Sequence, residues 1–251
     1  MIRSTLARVA YTALRAGITL PKAELLRAFS ERARLRNLLK QLEINCVIDV
    51  GGNRGLYGKH LRMMGYDGHI FSFEPVREEF DQLSKLASRY KRWATLNIAL
   101  GSENGRKPFN VIKRAVDDWG DSAVFSSFLP LRGDNNVSRV DLVEIKRLDT
   151  IIGDLLEQIQ NPRVFLKVDT QGYDVEVIRG AEGCISMVLG LQSEISVTPL
   201  YDGVPHYLQA LDYYESLGFS LMDLFVVGRT TFGSILEYDC VMARLDKLKR
   251  E

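Results

Sequence analysis

The chain is poor in cysteine. Its three, Cys46, Cys184 and Cys240, are isolated and lie in or beside apolar stretches. With no Cys-x-x-Cys pair and no Cys/His cluster, neither a structural zinc site nor a disulfide framework is expected, and a reducing cytoplasm is the expected compartment. An excess of charge is also missing. The 33 Lys and Arg stand against 32 Asp and Glu, a net charge of +1, which argues against a dedicated nucleic-acid surface. No apolar run approaches the ~20 residues that span a bilayer, and there is neither an internal repeat nor a low-complexity tract. What remains, 251 residues with 46% hydrophobic and 26% charged, suits one large globular domain or one domain with an appendage.

The first residues stand apart from the rest. Arg3, Arg8, Arg15 and Lys22 precede the first acid, Glu24, while Leu6, Val9, Ala10, Ala13 and Leu14 recur at helical spacing. Such a basic amphipathic helix is expected to dock on the domain or on a partner, with a peripheral membrane contact as the alternative. Its interrupting charges do not suit the apolar core of a signal peptide. Residues 1–43 are expected to form a helical extension, with a long helix over 24–42, and residues 44–251 the main domain.

From Cys46 onward, strand and helix patterns alternate. Strands are expected over 46–50, 69–73 and about 94–99, with helices over about 55–65 and 76–89 between them. The alternation resumes with strand 163–169, helix 173–180, strand about 188–195, helix 205–217 and strands 219–227 and 236–244. Repeated strand–helix units imply an α/β fold with a parallel sheet covered by helices on both faces. The last two strands are joined by Gly228–Gly233, too short for a crossover helix, so they should form an antiparallel hairpin at one edge. A mostly parallel seven-stranded sheet closed in this way is the class I methyltransferase (Rossmann-like) fold. Residues 100–162 interrupt the rhythm. Short strands over 107–113 and 140–148 flank a turn-rich stretch holding Asp117, Asp118, Gly120, Gly133 and the pair Asn135–Asn136. This β insert before the fourth main strand is expected to act as a lid or substrate-recognition element, with a merely structural β-appendage as the alternative.

The stretch from Val47 to Gly55, VIDVGGNRG, carries the chemistry. An apolar run containing Asp49 breaks into Gly51, Gly52 and Gly55 ahead of a helix, and the next strand ends in Glu74, 19 residues beyond Gly55. Glycines admit a close backbone approach to a ligand, and an acid at the second strand end is where a ribose diol is held. A nucleoside-bearing cofactor is implied. The dinucleotide pattern fits poorly, because counting from Gly51 its later glycines would fall on Asn53 and Leu56, so a NAD-dependent oxidoreductase is the weaker reading. Acid-x-Gly-x-Asn-x-Gly instead matches the first motif of S-adenosylmethionine enzymes. In that reading Asp49, Gly51, Asn53 and Gly55 line the methionine end, Glu74 holds the ribose, and Ala99 and Leu100 lie near the adenine.

Further motifs follow in order: FSFEPV (Phe71 to Val76), NIALG (Asn97 to Gly101), Ser126–Ser127, RLDT (Arg147 to Thr150), FLKVDTQGYDVEVIRGAEG (Phe165 to Gly183), SEISVTPLYDG (Ser193 to Gly203) and EYDCVMAR (Glu237 to Arg244). Over about residues 45–245 the set resembles the FkbM family of S-adenosylmethionine-dependent methyltransferases. The resemblance implies O-methyl transfer to a hydroxyl of a sugar, glycan or secondary metabolite. One departure stands out: the family pattern Lys-x-Asp-x-Glu-Gly reads here Lys167, Asp169, Gln171 and Gly172. An amide is no carboxylate base and is a poorer ligand for a hard cation, which motivates a non-catalytic cofactor-binding scaffold as the alternative function.

Lys167 and Asp169 lie two apart on an expected central strand, on one face, where charges are costly unless paired or used. Asp169, at the strand end, is the first candidate base for an acceptor hydroxyl, with Lys167 holding its charge or orienting the acceptor; a buried ion pair that only positions the strand end is the structural alternative. Glu194 ends the next strand and should lie beside Asp169, where the two could share a proton or hold a divalent cation. His206 is a second candidate base.

Overall fold

The computed structural model describes residue 15 and residues 23–116, 120–133 and 137–248. The rest of the amphipathic segment up to Lys22, together with Asp117, Asp118, Asn135 and Asn136, lies outside the described residues. Two compact units meet at the bond between Asn37 and Leu38. The first holds most of helix α1 (Ala23–Gln41), and the second begins in that helix's last turn. Among the described residues, no helix is long and apolar enough to cross a membrane.

Along the second unit, β1 (Cys46–Val50), α2 (Leu56–Met63), β2 (His69–Phe73), α3 (Arg77–Ala87) and β3 (Trp93–Leu96) come first. An insert of β4 (Ala99–Leu100), β5 (Gly105–Val111), β6 (Arg114–Val116), β7 (Gly120–Ser122) and β8 (Arg139–Lys146) follows. The chain then runs through α4 (Leu148–Leu156), β9 (Val164–Val168), α5 (Asp174–Arg179), β10 (Val188–Ser196), α6 (Tyr207–Ser216), β11 (Ser220–Arg229) and β12 (Ile235–Ala243).

Seven strands form the main sheet, in the order β3-β2-β1-β9-β10-β12-β11. All run parallel except β12, which is antiparallel to both neighbours. This is the class I methyltransferase fold expected from the sequence. The reversed strand is not itself the edge; β12 slots between β10 and β11. One expected strand divides. β3 stops at Leu96, and Ala99–Leu100 joins β8 in a separate three-stranded sheet with β5. Asn97 turns the chain there, its Nδ2 donating to the carbonyls of Glu74 (2.8 Å) and Pro75 (3.0 Å).

Helices on both faces bury β1 and β9 along their whole length, which is why both read as nearly continuous apolar runs. Asp49 and Lys167 are the exceptions, and the register explains how the core tolerates them. Asp49 pairs across the sheet with Ser72 on one side and with Lys167 on the other, so the three polar side chains emerge side by side on one face.

Candidate active site

The turn after β1 is fixed by backbone and carboxylate together. The N–H groups of Gly51 and Gly52 both donate to the Phe73 carbonyl, at 3.0 and 2.9 Å. Gly51 has φ +75°, and a Cβ there would collide with the carbonyl oxygen of Asp169; the residue is glycine because the next strand end packs against it. Asn53 also takes a positive φ, 44°, and its side-chain oxygen accepts the N–H of Arg54 at 2.8 Å. Its own N–H donates to Glu74 Oε2 at 2.8 Å, while the Val76 N–H donates to Oε1 at 2.8 Å. Glu74 thereby joins the turns after β1 and β2 through one carboxylate. Burial pushes its pKa up to about 7, against the opposing pull of these two N–H donors.

Gly51, Asn53, Glu74, Ala99, Leu100 and Asp169 line a single cavity at the carboxyl ends of the strands. The insert closes one wall with Phe109, Val124 and Phe128, and Tyr173 adds a further aromatic edge. Asp49 and Gly55 fall outside that lining. Gly55 opens α2 at φ +87°, and a Cβ there would press on Leu83 and Leu86, so backbone conformation and packing both call for glycine at this position. Asp49 is fully buried. Its Oδ2 accepts from Ser72 Oγ at 2.7 Å, and Ser72 Oγ in turn accepts from the Trp93 indole N–H at 3.0 Å.

Lys167 closes this buried network. Its ammonium lies 3.3 Å from Asp49 Oδ1 and 3.5 Å from Asp169 Oδ2, donates to the Gly51 carbonyl at 3.3 Å, and sits over the Tyr57 ring at 5.2 Å. Burial alone would lower its pKa, but Asp169, Asp49 and Asp239 outweigh that and hold it above the ordinary lysine value. Lys167 is thus paired within the protein with both Asp49 and Asp169.

On β10, Glu194 stands one step past Ser193, which pairs with Val168, and so comes beside Asp169. Burial, then the charges of Asp169, Glu237, Asp174 and Asp239, raise its pKa well above the carboxylate range. Asp174, 2% exposed, accepts the N–H and hydroxyl of Thr170 at 2.9 and 3.0 Å; burial and then Asp169 push it up to about 8. Between Asp169 and Glu194 lies the side-chain amide of Gln171, its Nε2 3.2 Å from an oxygen of each. Among the described residues, no group of three or more His, Cys, Asp or Glu is arranged to hold a metal ion. His206 lies apart from the cavity lining. It is exposed at the start of α6, where its N–H donates to Gln209 Oε1 at 3.0 Å; it shapes a helix start.

Sequence reasoning did not find the roles of Ser72, Gln171 and Tyr201. Ser72 was within reach, since it lies two residues before Glu74 on an expected strand. The Tyr201 hydroxyl comes 2.9 Å from Gln171 Oε1 and 3.0 Å from the Phe125 carbonyl, contacts made across long stretches of chain with no local signal.

Residues 49–221 match the methyltransferase FkbM domain. The hexuronic acid methyltransferase AglP of Haloferax volcanii is 28% identical over 163 residues, covering 63% of this chain and 59% of that protein; the chain therefore spans about three-fifths of the length of this curated relative. Among solved structures, an rRNA methylase from Streptococcus thermophilus aligns with a TM-score of 0.45 and 11% identity, over 84% of this chain and 95% of the other. Magnesium protoporphyrin IX methyltransferase (ChlM) from Synechocystis PCC 6803, solved with SAM bound, aligns with a TM-score of 0.42 and 8% identity, over 90% and 85%.

Proposed function

The chain belongs to the FkbM methyltransferase family, and on that premise we propose that it transfers a methyl group from S-adenosylmethionine to a hydroxyl oxygen of a sugar, glycan or secondary metabolite. The observation that carries the reading is the single cavity that gathers Gly51, Asn53, Glu74, Ala99, Leu100 and Asp169. Its donor set suits this cofactor. A buried carboxylate, Glu74, matches a ribose diol. The apolar walls of Pro75, Ala99, Leu100 and Val124 match a flat base. Asp169 is an anion for the positively charged end. Bound there, S-adenosylmethionine supplies an electrophilic methyl group on a sulfonium.

Asp169 takes the proton of the acceptor hydroxyl. A positioned base contributes roughly a hundred- to ten-thousandfold. Lys167 holds Asp169 in place and offsets its charge, and the aromatic wall from the insert excludes water and acts as the lid. A sugar acceptor is supported by the similarity to a hexuronic acid methyltransferase.

Titration with S-adenosylhomocysteine and, separately, with NAD tests the cofactor; preference for NAD overturns the reading. Methyl transfer to a panel of glycosides then tests the chemistry. Asp169→Asn should leave cofactor affinity nearly intact and lower turnover at least about a hundredfold, whereas His206→Ala should turn over like the native chain. The reverse pattern would move the base to the histidine.

A further inference from the structure

Asp169 and Glu194 present a physical problem. Two carboxylates side by side, with the Asp169 side chain 41% exposed at the cavity, repel, and such pairs ordinarily share a proton or hold a cation. In this structure a neutral group stands between them. The Gln171 carboxamide has two N–H bonds on Nε2, one for each neighbour: Asp169 Oδ1 at 3.2 Å and Glu194 Oε2 at 3.2 Å.

The amide cannot reverse without cost. Its Oε1 lies 2.9 Å from the hydroxyl of the fully buried Tyr201, which shares its one proton between Oε1 and the Phe125 carbonyl at 3.0 Å; a reversed amide would give up that contact and turn Oε1 toward Asp169. The backbone holds the residue as well. Gln171 sits at φ +54°, and its carbonyl accepts from Ser127 Oγ at 2.8 Å. Asp169 is gripped on both oxygens, Oδ1 by Gln171 and Oδ2 by Lys167, so the plane of its carboxylate is set.

We propose that Gln171 is the positioning residue of this site: its carboxamide clasps Asp169 and Glu194 without charge, in the place where a divalent cation would otherwise bridge the two. The clasp aims Asp169 and holds Glu194 beside it. The inference rests on the function proposed above in taking Asp169 as the reacting carboxylate. Other charged groups face the pair: Lys167 from β9, Asp174 from α5, and Glu237 and Asp239 from β12. None of them occupies the gap that Nε2 fills between the two.

The test compares the native full chain with Gln171→Glu and Gln171→Met. Mn²⁺ binding is followed by electron paramagnetic resonance and carboxyl titration by carbon-13 shifts, with and without S-adenosylhomocysteine. Gln171→Glu puts a third carboxylate beside Asp169 and Glu194 and should bind Mn²⁺ at least about tenfold more tightly than the native chain. Gln171→Met removes both donors while adding no charge. Its Mn²⁺ affinity should stay at the native level, and Glu194, having lost the N–H that favours its charged form, should titrate at higher pH than in the native chain. Equal Mn²⁺ affinity in the native chain and Gln171→Glu, or an unchanged titration in Gln171→Met, overturns the clasp. Calorimetry with S-adenosylhomocysteine separates the two claims. If no chain binds it while both contrasts appear, the proposed function fails and the clasp stands; if all bind it and the contrasts vanish, the clasp alone fails.

Discussion

Replacing Glu74 probes the cofactor end of the cavity, and the structure sets the size of the effect. Each oxygen of this carboxylate already accepts one backbone N–H, from Val76 and from Asn53, both at 2.8 Å, which leaves lone pairs for further donors. In the proposed function those lone pairs take the ribose hydroxyls. Glu74→Ala then removes a hydrogen bond to a charged group, worth ~1.5–3 kcal/mol, so the dissociation constant for S-adenosylhomocysteine should rise roughly 10- to 150-fold. It also strands two buried N–H groups at roughly 1–3 kcal/mol each, less where water enters, so the melting temperature should fall. Glu74→Gln separates the effects, because it keeps the size and one carbonyl acceptor but loses the charge. Acidity supplies a third arm. With the carboxyl raised to about 7 by burial, mild acid protonates it, and a neutral acid is the weaker acceptor. Cofactor affinity should therefore fall as pH drops through about 7, with a proton released on binding, and Glu74→Gln should lose this dependence. Calorimetry in two buffers of different ionisation enthalpy measures the affinity and the proton together. If Glu74→Ala binds the cofactor product like the native chain, with its circular dichroism unchanged, the assignment is refuted.

Lys167→Met leaves Asp49 as an uncompensated buried charge and should cost about 3–5 kcal/mol in urea denaturation; a loss below about 1 kcal/mol would show that the buried network tolerates the charge. Gly51→Ala meets both a positive φ and the Asp169 carbonyl, so a loss of about 3 kcal/mol or more, together with failed cofactor binding, is the expected outcome of the same measurements. Asp174 titrates at about 8 in the folded chain and at about 4 when unfolded. It keeps its proton where the unfolded chain has lost it, so its contribution to stability is complete below about 4 and is lost as pH rises through about 8. Asp174→Asn keeps the acceptor for Thr170 and removes the titration; its melting temperature should decline less than the native one between pH 5 and 9, and identical profiles would contradict the assignment.

The alternation of strands and helices was legible because strands buried on both faces leave apolar runs, against which Asp49, Glu74, Lys167 and Asp169 stand out. What the sequence hid depends on contacts between distant residues. The break between β3 and β4 comes from Asn97 reaching back to the carbonyls of Glu74 and Pro75, which no local pattern announces. At Gly55 a positive φ, packing against Leu83 and a ligand's approach all call for the same missing side chain, which spacing alone does not separate. Spacing along β9 paired Lys167 with Asp169, whereas the register with β1 brings Asp49 slightly closer, at 3.3 against 3.5 Å. Gln171 was visible as a departure from the family pattern, but its place between two carboxylates came only with the pairing of β9 and β10.

The hydrogen-bonded line from Trp93 through Ser72 to Asp49 has a practical consequence. The indole is 8% exposed, and α2 lies flat against it at Gly58, where a Cβ would collide with the ring. Its excited state therefore senses both the charge on Asp49 and the seating of the helix that follows the glycine turn. The chain has two tryptophans, and the other, Trp119, falls between β6 and β7 in the insert. Trp119→Phe leaves Trp93 as the one tryptophan, hydrogen-bonded through Ser72 to Asp49, so that its emission, excited at wavelengths tyrosine does not absorb, can follow the turn after β1 with neither a label nor a known acceptor.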